Sequence, residues 1–158
     1  MNSYLRSMAV LVPLVFVWAC GPSQQTPKAP ETTAQAAVAR PSNPGGVGKA
    51  IELKGDFKKG ANIFRANCMG CHNAEGKGGI ANPGSTDNTV PALNPIDPTL
   101  VSKDYKTFAG NLDLFIEHGS TPEGKNPVIK MPAVGDQKLL TPQQIADVIA
   151  YVIGLNKR

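Results

Sequence analysis

Cys68-Met69-Gly70-Cys71-His72 is the stretch on which the reading of this chain turns. The two cysteines stand three apart, so on a helical turn their sulfurs point the same way, and the next residue is an imidazole. Two thiols so placed can form thioethers with the two vinyl groups of one porphyrin, and C-x-x-C-H is the arrangement that attaches haem c. His72 then supplies a nitrogen to the iron at almost no further ordering cost, with its other ring nitrogen expected to donate to a backbone carbonyl. Two other chemistries use a cysteine pair. A thioredoxin-like redox site calls for a βαβ pattern around it, and a tetrahedral zinc site calls for a second Cys or His cluster. The sequence offers neither.

Moving outward, the residues before the motif have helical spacing: Asp56 reads as an N-cap, and Phe57, Ala61 and Phe64 lead to the cysteines. Gly60 sits inside this helix, where glycine costs about 1 kcal/mol relative to alanine, which suggests a close crossing by another backbone. The last helix opens at Thr141-Pro142-Gln143-Gln144, with threonine as N-cap, proline at the first helical position and glutamine completing a capping box. Its apolar residues Ile145, Val148, Ile149, Val152 and Leu155, with Tyr151 at one edge, form a stripe wide enough to touch both the first helix and a cofactor. Between them Leu112, Phe115 and Ile116 mark a short helix stopping at Gly119, while residues 73–100 show no periodicity and several Gly and Pro. Loops that long in a small domain usually wrap something. No stretch alternates like a strand, so the domain at 51–158 is expected to be all-α.

Composition agrees with a bound apolar group. Aromatics make up only 6% of the 158 residues, so a core built from protein alone would be thin. The net charge of +4 is small and scattered, which argues against a nucleic-acid partner.

The N-terminal third reads differently. Residues 1–19 carry Arg6 and then the apolar run from Met8 to Ala19, too short for a membrane span and interrupted by Pro13: a signal peptide. It ends in Val17-Trp18-Ala19-Cys20-Gly21, which resembles the lipobox of bacterial lipoproteins, with Trp18 bulkier than usual. Cys20 is therefore the candidate lipidation site and new N-terminus. Residues 20–50 are rich in Pro, Thr, Gln, Ala and Gly and nearly devoid of large apolar side chains, so they read as a flexible linker. Thirty such residues reach roughly 30 Å as a coil and about 90 Å as polyproline II.

For the opposite face of the iron the candidates are Met131, Met69 and His118. Met69 lies between the two thioethers and cannot cross the ring. Met131 is followed by Pro132, which biases it toward extended backbone and stiffens the loop that presents its sulfur. His118 ends the middle helix, where a histidine is commonly a partner for the helix dipole, and it stands as the alternative ligand.

Gly60-x-x-x-Phe64, CMGCH at 68–72, Pro91-Ala92-Leu93, Met131-Pro132 and Tyr151, in that order, resemble class I monohaem cytochromes c over about residues 50–158. The resemblance implies that fold, three to four helices around one covalent haem c held by Cys68 and Cys71, with His72 and Met131 on the iron. It also implies that Gly60 and Phe64 cross the last helix near Tyr151, that the Pro91 carbonyl faces the proximal histidine, and that one haem edge is exposed. The long Gly-rich stretch after His72 departs from the family pattern.

With both axial positions filled, substrate has no open iron site. Single-electron transfer at a raised potential is expected, and no enzymatic activity of the chain by itself. The expected partners are redox proteins, an integral membrane respiratory or photosynthetic complex above all, with the chain lipid-anchored on the extracytoplasmic face of a bacterial membrane. The lipoprotein leader with one such haem resembles the monohaem subunit of alternative complex III-type quinol oxidoreductases, and also membrane-tethered carriers. Two readings compete: a five-coordinate haem sensor or haem enzyme, and a thiol oxidoreductase using Cys68 and Cys71. Lys77, Lys103, Lys106, Lys125 and Lys130 are candidate docking residues.

Overall fold

Asp56 leaves extended backbone and caps the first helix, α1 (Phe57–Asn67), by accepting from the N–H groups of Lys58 at 2.8 Å and Lys59 at 3.0 Å. The same residue donates its own N–H to Asp147 Oδ1 at 2.8 Å, which stitches the start of α1 to the last helix. This is a computed structural model, and it describes residues 45–157. The expected signal peptide at 1–19, the candidate lipidation site Cys20 and most of the expected linker fall outside the described residues. Three further α-helical segments follow: α2 (Met69–His72), α3 (Tyr105–His118) and α4 (Pro142–Leu155). Among the described residues there is no strand, only isolated bridges pairing Ala81 with Thr89 and Ser120 with Met131.

The helix α4 starts where its capping residues place it. Thr141 accepts from the Gln144 N–H at 3.3 Å, the Gln144 side chain takes the Thr141 N–H at 2.9 Å, and Pro142 opens the first turn. Its buried residues, from Ile145 to Leu155, occupy most of its circumference, as expected of a helix packed on several sides. Across α1 the contact is backbone to backbone: a Cβ on Gly60 would sit 1.9 Å from the Asp147 carbonyl oxygen. The Tyr151 ring lies 5.1 Å from Phe57 and 5.2 Å from Phe64, tilted in both cases. This is the glycine–aromatic crossing that the resemblance to class I cytochromes c implies, each ring pair adding about 1 kcal/mol beyond the area it buries.

Two features differ from the sequence reading. The middle helix runs for 14 residues rather than being short, because Asp104 caps it by accepting from both the N–H and the hydroxyl of Thr107. Its first turn, Tyr105 to Thr107, is exposed and shows no apolar period, so the capping signal had nothing behind it. The packed domain also begins before residue 51. Ala50 is 2% exposed, Lys49–Glu52 forms a 3-10 turn, and Gly48 donates its N–H to Asp113 of α3. These residues are held by hydrogen bonds between glycine backbone and charged side chains and by burial of the small Ala50, so a composition poor in large side chains did not reveal them.

After α4, Asn156 accepts from the Ile96 N–H at 2.9 Å and donates to the carbonyls of Leu93 at 2.7 Å and Val152 at 2.9 Å. One side chain thus ends the helix and pins the loop that runs past Pro91.

Candidate functional site

The helix α1 delivers the motif directly. Cys68 closes it with an N–H bond to Phe64 O at 2.8 Å, and the N–H groups of Cys71 and His72 both turn back to Cys68 O, at 3.1 and 2.9 Å. Two thiols and an imidazole therefore issue from one continuous turn. Both cysteines are free; Cys68 is half-buried against the core and Cys71 is exposed. Burial, with a contribution from the neighbouring thiol, pushes the Cys68 thiol up to about 11. That is the opposite of the lowered pKa that activates a redox thiol.

His72 is half-buried, with Nδ1 3.4 Å from Pro91 O, long for an N–H···O bond. A carbonyl only accepts, so this contact puts the proton on Nδ1 and leaves the Nε2 lone pair for a metal. Burial pulls the His72 pKa below its usual value against the opposing effect of the Pro91 carbonyl, which favours the neutral imidazole that a metal requires. Glycines bring the carbonyl there. Gly78, at φ +64°, donates its N–H to His72 O at 2.8 Å, and a Cβ on it would lie 2.6 Å from Ala92 N. Gly79 N–H then bonds Val90 O at 2.9 Å and Val90 N–H bonds Ile80 O at 2.7 Å, so the loop closes on itself immediately before Pro91.

Met131 is half-buried in an extended segment paired with the end of α3. Its N–H donates to Ser120 O at 2.9 Å and its carbonyl accepts from Ser120 N–H at 3.1 Å. Gly119 ends α3 at φ +70°, and a Cβ on it would meet Met131 O at 2.5 Å, so only glycine lets the two backbones run this close. Beyond Pro132, Val134 and Gly135 both donate to Ile116 O.

The structure does not place His118 where it could serve as the alternative ligand. Its Nδ1 lies 2.9 Å from Asp136 Oδ2 and its Nε2 lies 2.6 Å from Gly46 O, so both ring nitrogens are committed. The hydrogen bond to Asp136, then that to Gly46, raises its pKa. Two acceptors at two nitrogens call for the doubly protonated ring, whose role here is to latch residue 46 onto α3. Met69 is 39% exposed between the cysteines.

Sequence reasoning missed one residue of this region. Asn82 is fully buried and holds both peptide groups of Ile129, two positions before Met131. Asn82-Pro83-Gly84 reads as an ordinary turn, and no local signal marks its partner 47 residues away. Among the five candidate docking lysines, Lys106 is paired with Glu52 at 2.8 Å on the surface, and the other four are exposed. A surface cleft lined by Lys54, Phe57, Tyr105, Ile153 and Lys157 contains none of the motif residues.

The family model for cytochrome c matches residues 57–156, from the start of α1 to the end of α4. The chain belongs to the cytochrome c family. Its fold is accordingly the all-α class I cytochrome c fold. Relatives match this cytochrome c domain over part of their length. The cytochrome bc1 complex cytochrome c subunit of Mycobacterium leprae is 32% identical over 88 residues, which is 55% of this chain and 29% of that protein. The subunit of the same name from Mycobacterium tuberculosis (strain H37Rv) is also 32% identical over 88 residues, 55% of this chain and 30% of the relative. The Cbb3-type cytochrome c oxidase subunit FixP of Rhizobium meliloti is 31% identical over 100 residues, 62% of this chain and 29% of the relative. The chain thus spans under a third of the length of these curated relatives. No solved structure gives a significant match.

Family membership brings haem c, bonded covalently through Cys68 and Cys71. The residues fit it. Two unpaired thiols share one turn, the adjacent imidazole has one nitrogen turned to a carbonyl, and Leu93, Phe115 and Ile116 stay half-buried at the edge of the core. Among the described residues no group of three or more His, Cys, Asp or Glu could complete a zinc shell.

Proposed function

We propose that this cytochrome c carries single electrons at the extracytoplasmic face of a bacterial membrane, lipid-anchored through Cys20 and serving a membrane-bound respiratory complex. Haem c, when bound, supplies a one-electron ferric–ferrous couple. The chain's residues do the rest: Cys68 and Cys71 would hold the ring at the end of α1, His72 and Met131 would supply a nitrogen and a sulfur to the iron, and the Pro91 carbonyl keeps the His72 proton on Nδ1. With both residues on the iron, substrate would have no coordination site, and the chain would act as a carrier and not by itself as an enzyme.

The observation that carries this reading is the 3.4 Å approach of His72 Nδ1 to Pro91 O on the turn that bears both cysteines. It leaves the imidazole with one nitrogen for iron. Support for Met131 comes from its Met-Pro context, from its place in a loop tied to α3 at Ser120, and from the commitment of both His118 nitrogens elsewhere.

The relatives bear the names of bc1-complex and cbb3-type oxidase subunits, which supports a respiratory partner over a photosynthetic one. A role as the monohaem subunit of an alternative complex III-type quinol oxidoreductase is the finer form of the same proposal. No helix among the described residues is long and apolar enough to cross a membrane. If Cys20 is the lipid anchor, Cys20→Ser is expected to release the protein from washed membranes.

The deciding experiment is the optical spectrum of the protein taken from membranes, beside Met131→Ala. A weak near-infrared band of iron–methionine ligation in the wild type, lost in the variant, is the expected result. A c-type spectrum without that band, unchanged by the substitution, would overturn Met131 as ligand and bring the five-coordinate haem sensor or enzyme forward.

A further inference from the structure

We propose that Asn82 is a positioning residue for the methionine ligand: its side-chain amide clamps the peptide of Ile129 and so holds the Met131 loop closed over the cofactor. The inference rests on the reading of Met131 as axial ligand.

The clamp is a two-point contact. Asn82 Oδ1 accepts from the Ile129 N–H at 2.7 Å, and its Nδ2–H donates to the Ile129 carbonyl at 3.0 Å, as a neighbouring strand would. The side chain is 0% exposed, so neither bond is exchanged readily for water. Asn82 is itself held from behind. Its N–H donates to Asn88 O at 2.7 Å, and its carbonyl accepts from the Ser85 N–H at 3.2 Å and the Ser85 hydroxyl at 2.8 Å.

Further contacts continue the seam. Val128 N–H bonds Pro83 O at 3.2 Å, and Thr86 N–H bonds Glu123 O at 2.8 Å. Gly84 packs so closely that a Cβ on it would lie 2.1 Å from Asn126 O. The Gly-rich stretch after His72 is thus the element against which residues 123–129 are built.

Apolar burial cannot do this work. Val128 is 73% exposed, and Lys130 and Pro132 are exposed as well, so the segment leading into Met131 is fastened by hydrogen bonds at Ile129 on one side and Ser120 on the other. The clamping loop ends at Val90, next to Pro91, whose carbonyl faces His72. One loop therefore orients the imidazole with one end and restrains the thioether with the other.

The test uses the ferrous haem-loaded protein and two readouts: the rate at which carbon monoxide is taken up, which requires the methionine to leave, and hydrogen exchange at the Ile129 amide. Asn82→Ala is expected to speed carbon monoxide uptake about tenfold, equivalent to about 1.4 kcal/mol of loop opening, and to speed exchange at Ile129. Asp147→Ala removes a comparable buried acceptor at the α1–α4 contact. It should lower overall stability while leaving carbon monoxide uptake within about twofold of wild type. Equal uptake in wild type and Asn82→Ala, or equal acceleration in both variants, overturns the clamp. If Asn82→Ala yields no folded protein, Ser85→Ala, which removes only the hydroxyl behind Asn82, takes its place. It should accelerate uptake about threefold, and no acceleration there overturns the clamp as well. Met131→Ala separates the two claims. Fast uptake in Met131→Ala with wild-type rates in the Asn82 and Ser85 variants defeats the clamp alone; unchanged uptake in Met131→Ala defeats the ligand reading and the clamp with it.

Discussion

Replacing Gly60 by alanine would put a methyl carbon 1.9 Å from the Asp147 carbonyl oxygen, 2.5 Å from its carbon and 2.9 Å from Tyr151 Cβ. Ordinary contact needs about 3.4 Å, so α1 and α4 would have to move apart by roughly 1.5 Å at their crossing. Alanine returns about 1 kcal/mol through helix propensity. Overpacking costs about 1–3 kcal/mol, and separating Tyr151 from Phe57 and Phe64, now at 5.1 and 5.2 Å, forfeits up to about 1 kcal/mol for each pair. The net expectation is a loss of about 3 kcal/mol, or a fall in Tm of about 12 °C for a domain of this size. Thermal and urea unfolding of the haem-loaded variant measure it. Gly110→Ala is the internal comparison: its methyl would meet only Val47 Cγ1, at 3.4 Å, so the propensity gain should survive and stabilise α3. If Gly60→Ala unfolds within about 0.5 kcal/mol of wild type, or is stabilised like Gly110→Ala, the argument that the crossing requires a glycine is wrong.

Thr141→Ala removes the side-chain half of the α4 capping box and should cost about 1 kcal/mol by urea unfolding, with the helix start fraying in amide exchange. Stability should also fall as pH rises from mildly acidic to mildly alkaline. Hydrogen bonds to Asp136 and then Gly46 raise the His118 pKa, so its stabilisation is complete below the ordinary histidine value of about 6.5 and is lost as pH climbs through the folded-state value. The carboxyls around it act in the same direction. Burial raises Asp113 and Glu117, and their ionisation opposes folding as pH rises. An NMR titration should show His118 protonated at higher pH than a free histidine, with Asp136→Asn bringing it back down; a titration unaltered by that substitution would rule out Asp136 as the cause.

Legibility followed the range of the interactions. The starts of α1 and α4 could be read because their caps are local: Asp56 reaches Lys58 and Lys59, and Thr141 and Gln144 serve each other. The cysteine pair and His72 could be read for the same reason, since one helical turn holds all three. The start of α3 was hidden, although Asp104 and Thr107 are also local, because the turn they open is exposed and aperiodic. The order in residues 46–50 was hidden because glycine backbone met the side chains of Asp113 and His118, more than 60 residues away.

By itself, then, the sequence determined the covalent chemistry and the helical class, which follow from local spacing along the chain, while the crossing of Gly60 and Phe64 with Tyr151 was implied by the family resemblance. Only the tertiary structure decided that His118 is a latch for Gly46, that the Gly-rich stretch after His72 packs against residues 123–129, and that the Asn82 side chain is among the contacts between them. A side-chain amide in a turn has the same local chemistry whether it faces water or a buried peptide. Which of the two it meets is set by how distant segments pack, and no local pattern records that.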